Sequence, residues 1–458
     1  MSAGRVSVAL FTSDLRLHDN PVLRAALAAA DATVPLFVLD TGVRAAGFDA
    51  PNRRAFLADS LAALDAGLRE RGGWLVVRAG EAVAEVRRLA AETGAHEVHL
   101  AAGVSGYAQR REDRLRRALA ADGRRLRVHD AVVTVLPPGA VAPQGRDHFA
   151  VFTPYFRRWS AERPREVLDA PRAVRVPTGV ASEPLPRRAD VPGTAPALAA
   201  GGEPEGRRRF TAWRRGGRLG AYAERHDDLP GDATSRLSPH LHFGTLSPVE
   251  LVALARESAQ DSEAFVRQLA WRDFHHQVLA ARPRAAWSDY RPPHGGWRWD
   301  EAEFAAWCAG RTGYPVVDAA MRQLRHEGWT HNRGRLLAAS FLTKTLTLDW
   351  RHGARFFLRH LVDGDVADNQ LNWQWAAGTG TDTRPGRVLN PVTQARRFDP
   401  GGEYVRRWVP ELAGVGGPSV HRPWALPRAE RARLDYPEPL VALDEGLDRH
   451  RRIRGRSG

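Results

Sequence analysis

Five short apolar runs separated by amphipathic stretches fill the first third of this chain, and that alternation limits what it can fold into. Val6–Phe11, Val34–Leu39, Trp74–Arg78, Val98–Ala101 and Leu126–His129 read as buried strands. Between the second and third, residues 51–71 place Phe56, Leu57, Leu61, Leu64 and Leu68 on one helical face, with Pro51 at its start and Gly72 at its end. Strands alternating with helices form a parallel sheet covered on both faces, an α/β Rossmann-like unit. No G-x-G-x-x-G opens the first helix; the segment there is Thr12-Ser13-Asp14-Leu15-Arg16-Leu17-His18-Asp19-Asn20. A dinucleotide held in the usual Rossmann manner is therefore not expected.

At 458 residues the chain exceeds one ordinary core. From about Val133 to Arg209 the pattern dissolves into Pro, Gly, Ala and Arg. Phe149, Phe152, Tyr155, Phe156 and Trp159 give the early part of this connection an aromatic face, so it should wrap rather than dangle. After Phe210 strand signals vanish and helices are expected over Phe265–Ala281, Pro315–Glu327, Arg333–Leu346 and His352–Leu361. The reading is an α/β domain over residues 1–133, a linker over 134–209 and an all-α domain over 210–458.

The formal charge is +14 and the pI about 10.9, which favours a polyanionic partner such as nucleic acid. Of the 67 basic residues only Lys344 is lysine, a bias that a GC-rich genome also produces. A lone Cys308 excludes an internal disulfide and a multi-cysteine metal site. The adjacent His275 and His276 lack H-E-x-x-H or C-x-x-C company, so no metal is expected. Met1-Ser2-Ala3-Gly4-Arg5 runs into the first strand with no apolar leader, and no long apolar span follows. A soluble, cytoplasmic monomer with no membrane and no obligatory protein partner is the expectation.

Three segments carry chemistry. Thr234-Ser235-Arg236-Leu237-Ser238-Pro239 combines hydroxyls, an Arg fork and a helix entrance, which together suit a pyrophosphate, although most such turns are plain caps. In Gln268-Leu269-Ala270-Trp271-Arg272-Asp273-Phe274, an indole plate and an anion contact sit side by side, with Phe274 better read as core. Carboxylates, amides and two indoles crowd Asp363–Trp375; Asn and Asp compete with helix backbone, but a pocket ordering a polar aromatic ligand needs such a mixture. Thr343-Lys344-Thr345 lacks the glycines of a P-loop and is rejected.

Asp14-Leu15-Arg16 with Asp19-Asn20, T-S-R-L-S, W-R-D-F, T-G-Y-P-x-V-D-A-A-M-R-Q-L, G-W-x-H-N-R, A-S-F-L-x-K, D-G-D-x-A and N-P-x-x-Q follow one another from about residue 6 to 410. In order and spacing they resemble the DNA photolyase/cryptochrome family, nearest its class I cyclobutane pyrimidine dimer branch. The resemblance implies an antenna domain, a linker and a helical FAD domain. It implies that Tyr222, Thr234, Ser235, Arg236, Leu237, Ser238, Arg272, Asp363, Gly364 and Asp365 hold FAD, with Asn369 at flavin N5. An Asp there would repel the reduced anionic flavin. It further implies that light drives an electron from that flavin to a flipped-out dimer in UV-damaged DNA, after which the ring splits and the electron returns; photolyases are a named example of base flipping. Gln268, Trp271, Asn332 and Trp375 would meet the lesion, and Arg225, Arg333, Arg387 and Gln394 the DNA. Trp373, Trp350 and Trp297 would form the photoreduction chain. The antenna is assigned to 8-hydroxy-5-deazaflavin, with methenyltetrahydrofolate as the alternative.

Two positions depart from the family pattern. Gln268 replaces the usual dimer-binding Glu and occurs also in (6-4) photolyases and animal cryptochromes. Those (6-4) enzymes, however, carry paired histidines where this chain has Asn332 and Leu336. Ser13 stands where an Arg commonly precedes Asp14, which bears on the antenna pocket. The chain ends 50 residues after Trp408 in a short Arg-rich tail, favouring an enzyme over a cryptochrome photoreceptor.

Overall fold

The five expected strands pair as one parallel sheet, β3-β2-β1-β4-β5, made of β1 (Val6–Phe11), β2 (Ala32–Asp40), β3 (Val76–Gly80), β4 (Glu97–Ala101) and β5 (Arg125–His129). These come from a computed structural model that describes residues 4–293, 295–381, 384 and 386–454. Met1–Ala3 of the sequence reading lie outside the described residues.

Side-chain alternation along the strands builds two cores. Ala9, Phe11, Phe37 and Val77 face α1 (Pro21–Ala29) and α2 (Pro51–Arg69). Val8, Leu10, Leu36 and Val98 face α3 (Ala82–Thr93) and α4 (Gly106–Ala121). Helices thus cover both faces, as the strand–helix alternation requires.

The connection is wrapped. Its α5 (Phe152–Ala161) buries Phe152, Tyr155 and Trp159 in the same cluster as Phe274 and Val278. Buried Asp273 accepts hydrogen bonds from the Val135 and Leu136 amides and from Trp159 Nε1, stapling the start of the connection to the helical half. Further on, backbone bonds from Val174 to Arg71 and from Glu183 to Val77 lay it along the α/β unit. The next helix, α6 (Glu203–Arg215), runs through the expected 209/210 boundary and puts Phe210 and Trp213 into the helical core.

Then follow α7 (Glu263–Ala281), α8 (Glu301–Ala309), α9 (Pro315–Glu327), α10 (Asn332–Ser340), α11 (Trp350–His360) and α12 (Val366–Ala377). Beyond β5 the described residues contain no further strand, only an isolated Arg298–Leu348 bridge. α9 has its expected ends, closed by Gly328 in the left-handed conformation. The helix expected to reach Leu346 stops at Ser340 and loosens into a π-turn over Phe341–Thr345, where the Thr343 hydroxyl bonds back to Ala339 O at 2.7 Å.

The Asp14–Asn20 loop is the joint between the halves. Arg16 is 1% exposed and donates to the carbonyls of Asp19, Val132 and Gly244. Asp19 accepts from Arg165 and Ser247. Glu203 receives the Leu17 amide at 2.7 Å and the His18 amide at 3.1 Å. Gly244, at φ +64°, lies so close to Ser13 O that a Cβ would collide with backbone. Arg16→Ala would leave the carbonyls of Asp19, Val132 and Gly244 without this donor in the interior. Its expected cost is about 3–5 kcal/mol, read as an earlier urea midpoint. A shift under about 1 kcal/mol would show that the joint is not held this way.

Candidate active site: a polar cavity in the helical domain

Between α7, α10, α11 and α12 lies a cavity of about 470 Å³, within the size range of small-molecule sites. All the expected ligand-holding residues line it except Gly364: Tyr222, Thr234, Ser235, Arg236, Leu237, Ser238, Arg272, Asp363, Asp365 and Asn369. Gln268, Trp271, Asn332, Trp373 and Trp375 line it too. Segments from Tyr222 to Trp375 therefore meet on one hollow.

Gly364 has a different duty. A Cβ there would press on Arg53 of α2, which is buried and donates to Leu361 O at 3.0 Å. Burial pushes the Arg53 guanidinium down to about 10. The absence of a side chain at Gly364 leaves room for this interdomain arginine.

Arg236 also differs from the simple reading. Its backbone is left-handed (φ +51°) and its fork is spent on Asp232 and Glu327 while lying 4.3 Å from the Trp329 ring. The helix after it, Ser238–His242, has only five residues. What this turn offers the hollow is hydroxyls, and Thr234 Oγ1 is buried there without a partner.

Across the cavity Asp365 caps α12 through the amides of Ala367 and Asp368. Its other oxygen faces His276 Nε2 at 3.3 Å and Arg272 at 3.8 Å. Burial pushes the Asp365 carboxyl up, but His276, His242 and Arg272 outweigh it and hold the group well below the usual carboxylate range. His276 moves the other way: burial and Arg272 push it down, yet Asp365 and Asp368 keep it raised. His275 meets Asp368 at 2.9 Å. Ligating atoms of His276, Asp365 and Asp368 lie within 4.8 Å of one another, but Arg272 already balances both carboxylates, so a divalent cation would meet a guanidinium.

Asp363 pairs with Arg335 at 2.8 Å through one oxygen, leaving Oδ1 buried and unpartnered at the wall. Asn369 spends its amide hydrogens on Ala354 O (3.1 Å) and Gln370 Oε1 (2.9 Å), so the group left for the cavity is its carbonyl oxygen. Trp271 stacks on Phe152 of α5, ring centres 3.7 Å apart and 6° from parallel. Sequence reasoning assigned no role to Trp329, Arg335, His242 or Asn372, which also line the wall. Trp329 and Arg335 sit within and beside G-W-x-H-N-R, so the motif itself held a signal for them.

The expected DNA contacts lie outside the cavity lining. Arg225 and Arg387 are exposed, the former paired with Asp228 at 3.3 Å. Arg333 is committed to Asp227 and lies over Phe398 at 4.3 Å. Gln394 has Oε1 buried without a partner. Trp350 and Trp297 do not line the cavity; the first is buried and the second half-buried.

Residues 7–174 match the DNA photolyase family model, and 265–454 match the FAD binding domain of DNA photolyase. A deoxyribodipyrimidine photo-lyase of Streptomyces griseus is 68% identical, covering 98% of this chain and 99% of its own. The chain belongs to the DNA photolyase family. Among solved structures, a bacterial class III photolyase from Agrobacterium tumefaciens superposes with a TM-score of 0.89 at 31% identity, covering 99% of this chain and 97% of that one. A Synechocystis cryptochrome gives 0.90 at 29%, covering 98% and 99%. The cavity draws most of its lining from the segment that matches the FAD binding domain. Its walls fit FAD: the orphaned Thr234 Oγ1 and Asp363 Oδ1 supply polar partners, and indoles supply apolar surface.

The His276–Asp365 pair makes stability pH-dependent. Because His276 is raised in the fold, its contribution is complete below about pH 6.5 and is lost as pH rises through its folded value. The depressed Asp365 contributes above the ordinary carboxylate range and fails only in acid. Wild type should therefore exceed His276→Gln in stability most at about pH 6, with the gap narrowing toward about pH 9 in urea unfolding. A gap that widened with pH would contradict the assignment.

Proposed function

We propose that this chain repairs UV-damaged DNA in light, as a deoxyribodipyrimidine photo-lyase acting on cyclobutane pyrimidine dimers. The observation that carries the reading is 68% identity, over 98% of the chain, to an enzyme of that name, together with a cavity lined by that family's motif residues. Bound FAD, in its reduced form, supplies a light-absorbing one-electron donor.

The chain's own residues supply binding, orientation and electrostatics. Thr234, Ser235 and Ser238 offer hydroxyls to the dinucleotide, while Arg272 stands against the carboxylate side of the wall. Asn369 presents Oδ1, an acceptor suited to an N–H, which a ring nitrogen of a reduced cofactor carries. At the lesion, Trp271 is a rigid plate because Phe152 backs it, and Trp375 faces the same hollow. Gln268 supplies a neutral amide that hydrogen-bonds a pyrimidine edge without transferring a proton. Leu336 lines the cavity where the acid–base chemistry of a (6-4) lesion would require an ionisable group.

Arg225, Arg333, Arg387 and Gln394 are assigned to the DNA backbone, where contacts position rather than specify. Trp373 is assigned to electron supply. A monomer serves this reaction. The antenna is assigned to 8-hydroxy-5-deazaflavin on the Arg-rich, high-GC composition, methenyltetrahydrofolate being the alternative.

Reduced holoprotein should erase cyclobutane dimers under blue light and leave (6-4) lesions; survival of the cyclobutane lesion would refute the reading. Trp271→Ala should weaken binding to lesion-bearing DNA by about 1–3 kcal/mol, roughly 5- to 150-fold in Kd, with undamaged DNA unaffected. Equal losses on both DNAs would show that Trp271 does not read the lesion.

A further inference from the structure

Asp365 and Asp368 put two carboxylates on a wall that has to receive an anion, since FAD carries a pyrophosphate. Arg272 alone does not offset them. It lies 3.8 Å from Asp365 and 3.9 Å from Asp368, and it donates instead to the Val133 and Leu241 carbonyls. A second positive charge is needed, and His276 is placed to carry it.

The His276 ring is 2% exposed and held at both nitrogens. Nδ1 meets the Arg272 carbonyl oxygen at 2.8 Å; a carbonyl oxygen only accepts, so Nδ1 bears a hydrogen. Nε2 stands 3.3 Å from Asp365 Oδ2. In a neutral ring Nε2 would be bare and would face an oxygen that also only accepts. One proton held by the pair removes that conflict, and on the imidazole it leaves Asp365 ionised. The other charged or titratable groups facing the pair are Arg272 and Asp273 on α7, Asp368 on α12, and His242, whose Nδ1 is 4.0 Å from Asp365. Of these, Asp273 is turned to the connection, and the neighbouring His275 is turned to Asp368. Burial and Arg272 oppose the imidazolium, but Asp365 and Asp368 outweigh them.

The pair also adjoins the hydroxyl turn. Leu241, which accepts from Arg272 at 3.3 Å, and His242 belong to the Ser238–His242 helix that follows Thr234 and Ser235. The carboxylates therefore stand close to the groups offered to the dinucleotide.

We propose that His276 is a positioning residue for FAD, its proton cancelling the second carboxylate and keeping this wall neutral toward the pyrophosphate. The inference rests on the reading of the cavity as the FAD site. With the proton, Asp365, Asp368, Arg272 and His276 carry no net charge; without it they carry one negative charge, which repels an anion. The pair therefore holds its proton more tightly beside bound FAD than in the empty cavity. By linkage, binding takes a proton up from solvent in the range where the pair titrates, and affinity falls as pH rises through it.

The test titrates the full chain, stripped of chromophore, with FAD in the dark and without DNA. Calorimetry in two buffers of different ionisation enthalpy gives Kd and the protons taken up, independently of repair. Wild-type Kd should rise about tenfold between about pH 6 and about pH 9, with proton uptake across that range. His276→Gln should bind about tenfold more weakly at about pH 6, with no matching slope or uptake. His276→Arg, whose charge does not titrate, should bind as tightly as wild type at about pH 6 and change by less than about twofold up to about pH 9. His275 and His242 are common to all three proteins, so their titration cancels in the comparison. A wild-type Kd indifferent to pH, a slope that persists in His276→Gln, or an Arg variant as weak as the Gln variant overturns the proposal. Where His276→Gln does not fold, wild type and His276→Arg decide: equal proton uptake by the two overturns it. A wild type that binds no FAD at any pH overturns the site reading itself, whereas tight binding without a slope due to His276 overturns this inference alone.

Discussion

The helical half is organised around a hollow that its own side chains do not fill, with polar atoms on the wall that its own chain does not satisfy. Thr234 Oγ1 and Asp363 Oδ1 are buried without partners, a state that costs about 1–3 kcal/mol for each such group. A fold tolerates this where a ligand completes the pairing. The elements around the hollow serve to hold its walls apart. Asp365 caps α12 and is pinned by His276 and Arg272; Arg335 fixes Asp363; Phe152 backs Trp271. Each of these fixes a wall residue by a group that is itself fixed, which is how a site keeps its shape before its ligand arrives.

The α/β half bears on the site through the joint. Arg16, Asp19 and Glu203 are spent on backbone groups and side chains of the opposite half, and Arg53 reaches the turn before α12. The connection adds a third hold through Asp273, next in sequence to Arg272 on the cavity wall. The W-R-D-F motif therefore does three things in four residues: Trp271 and Arg272 face the hollow, Asp273 grips the connection and Phe274 fills the core.

The sheet and the main helices were legible because strands and amphipathic helices announce themselves by period, and Pro51, Gly72, Pro315 and Gly328 mark their ends. Positions on the wall were legible through the motif resemblance, since periodicity does not tell a cavity-facing Asn from a surface one. What stayed hidden depends on tertiary contact. Nothing local in Asp363-Gly364-Asp365 says that the glycine faces Arg53. Nothing in T-S-R-L-S says that the Arg fork turns to Asp232 and Glu327. Nor does sequence spacing say that His276 meets Asp365, because the contact spans two helices far apart in the chain.

Binding of the dinucleotide is the assumption on which all of the chemistry stands, and it can be measured without light or DNA. Chromophore-stripped protein titrated with FAD should bind one equivalent and gain stability, about 2.7 kcal/mol at a hundredfold excess over Kd, with an Asp363→Ala variant gaining less. A chain that takes up no FAD, or that melts at the same temperature with and without it, would contradict the account.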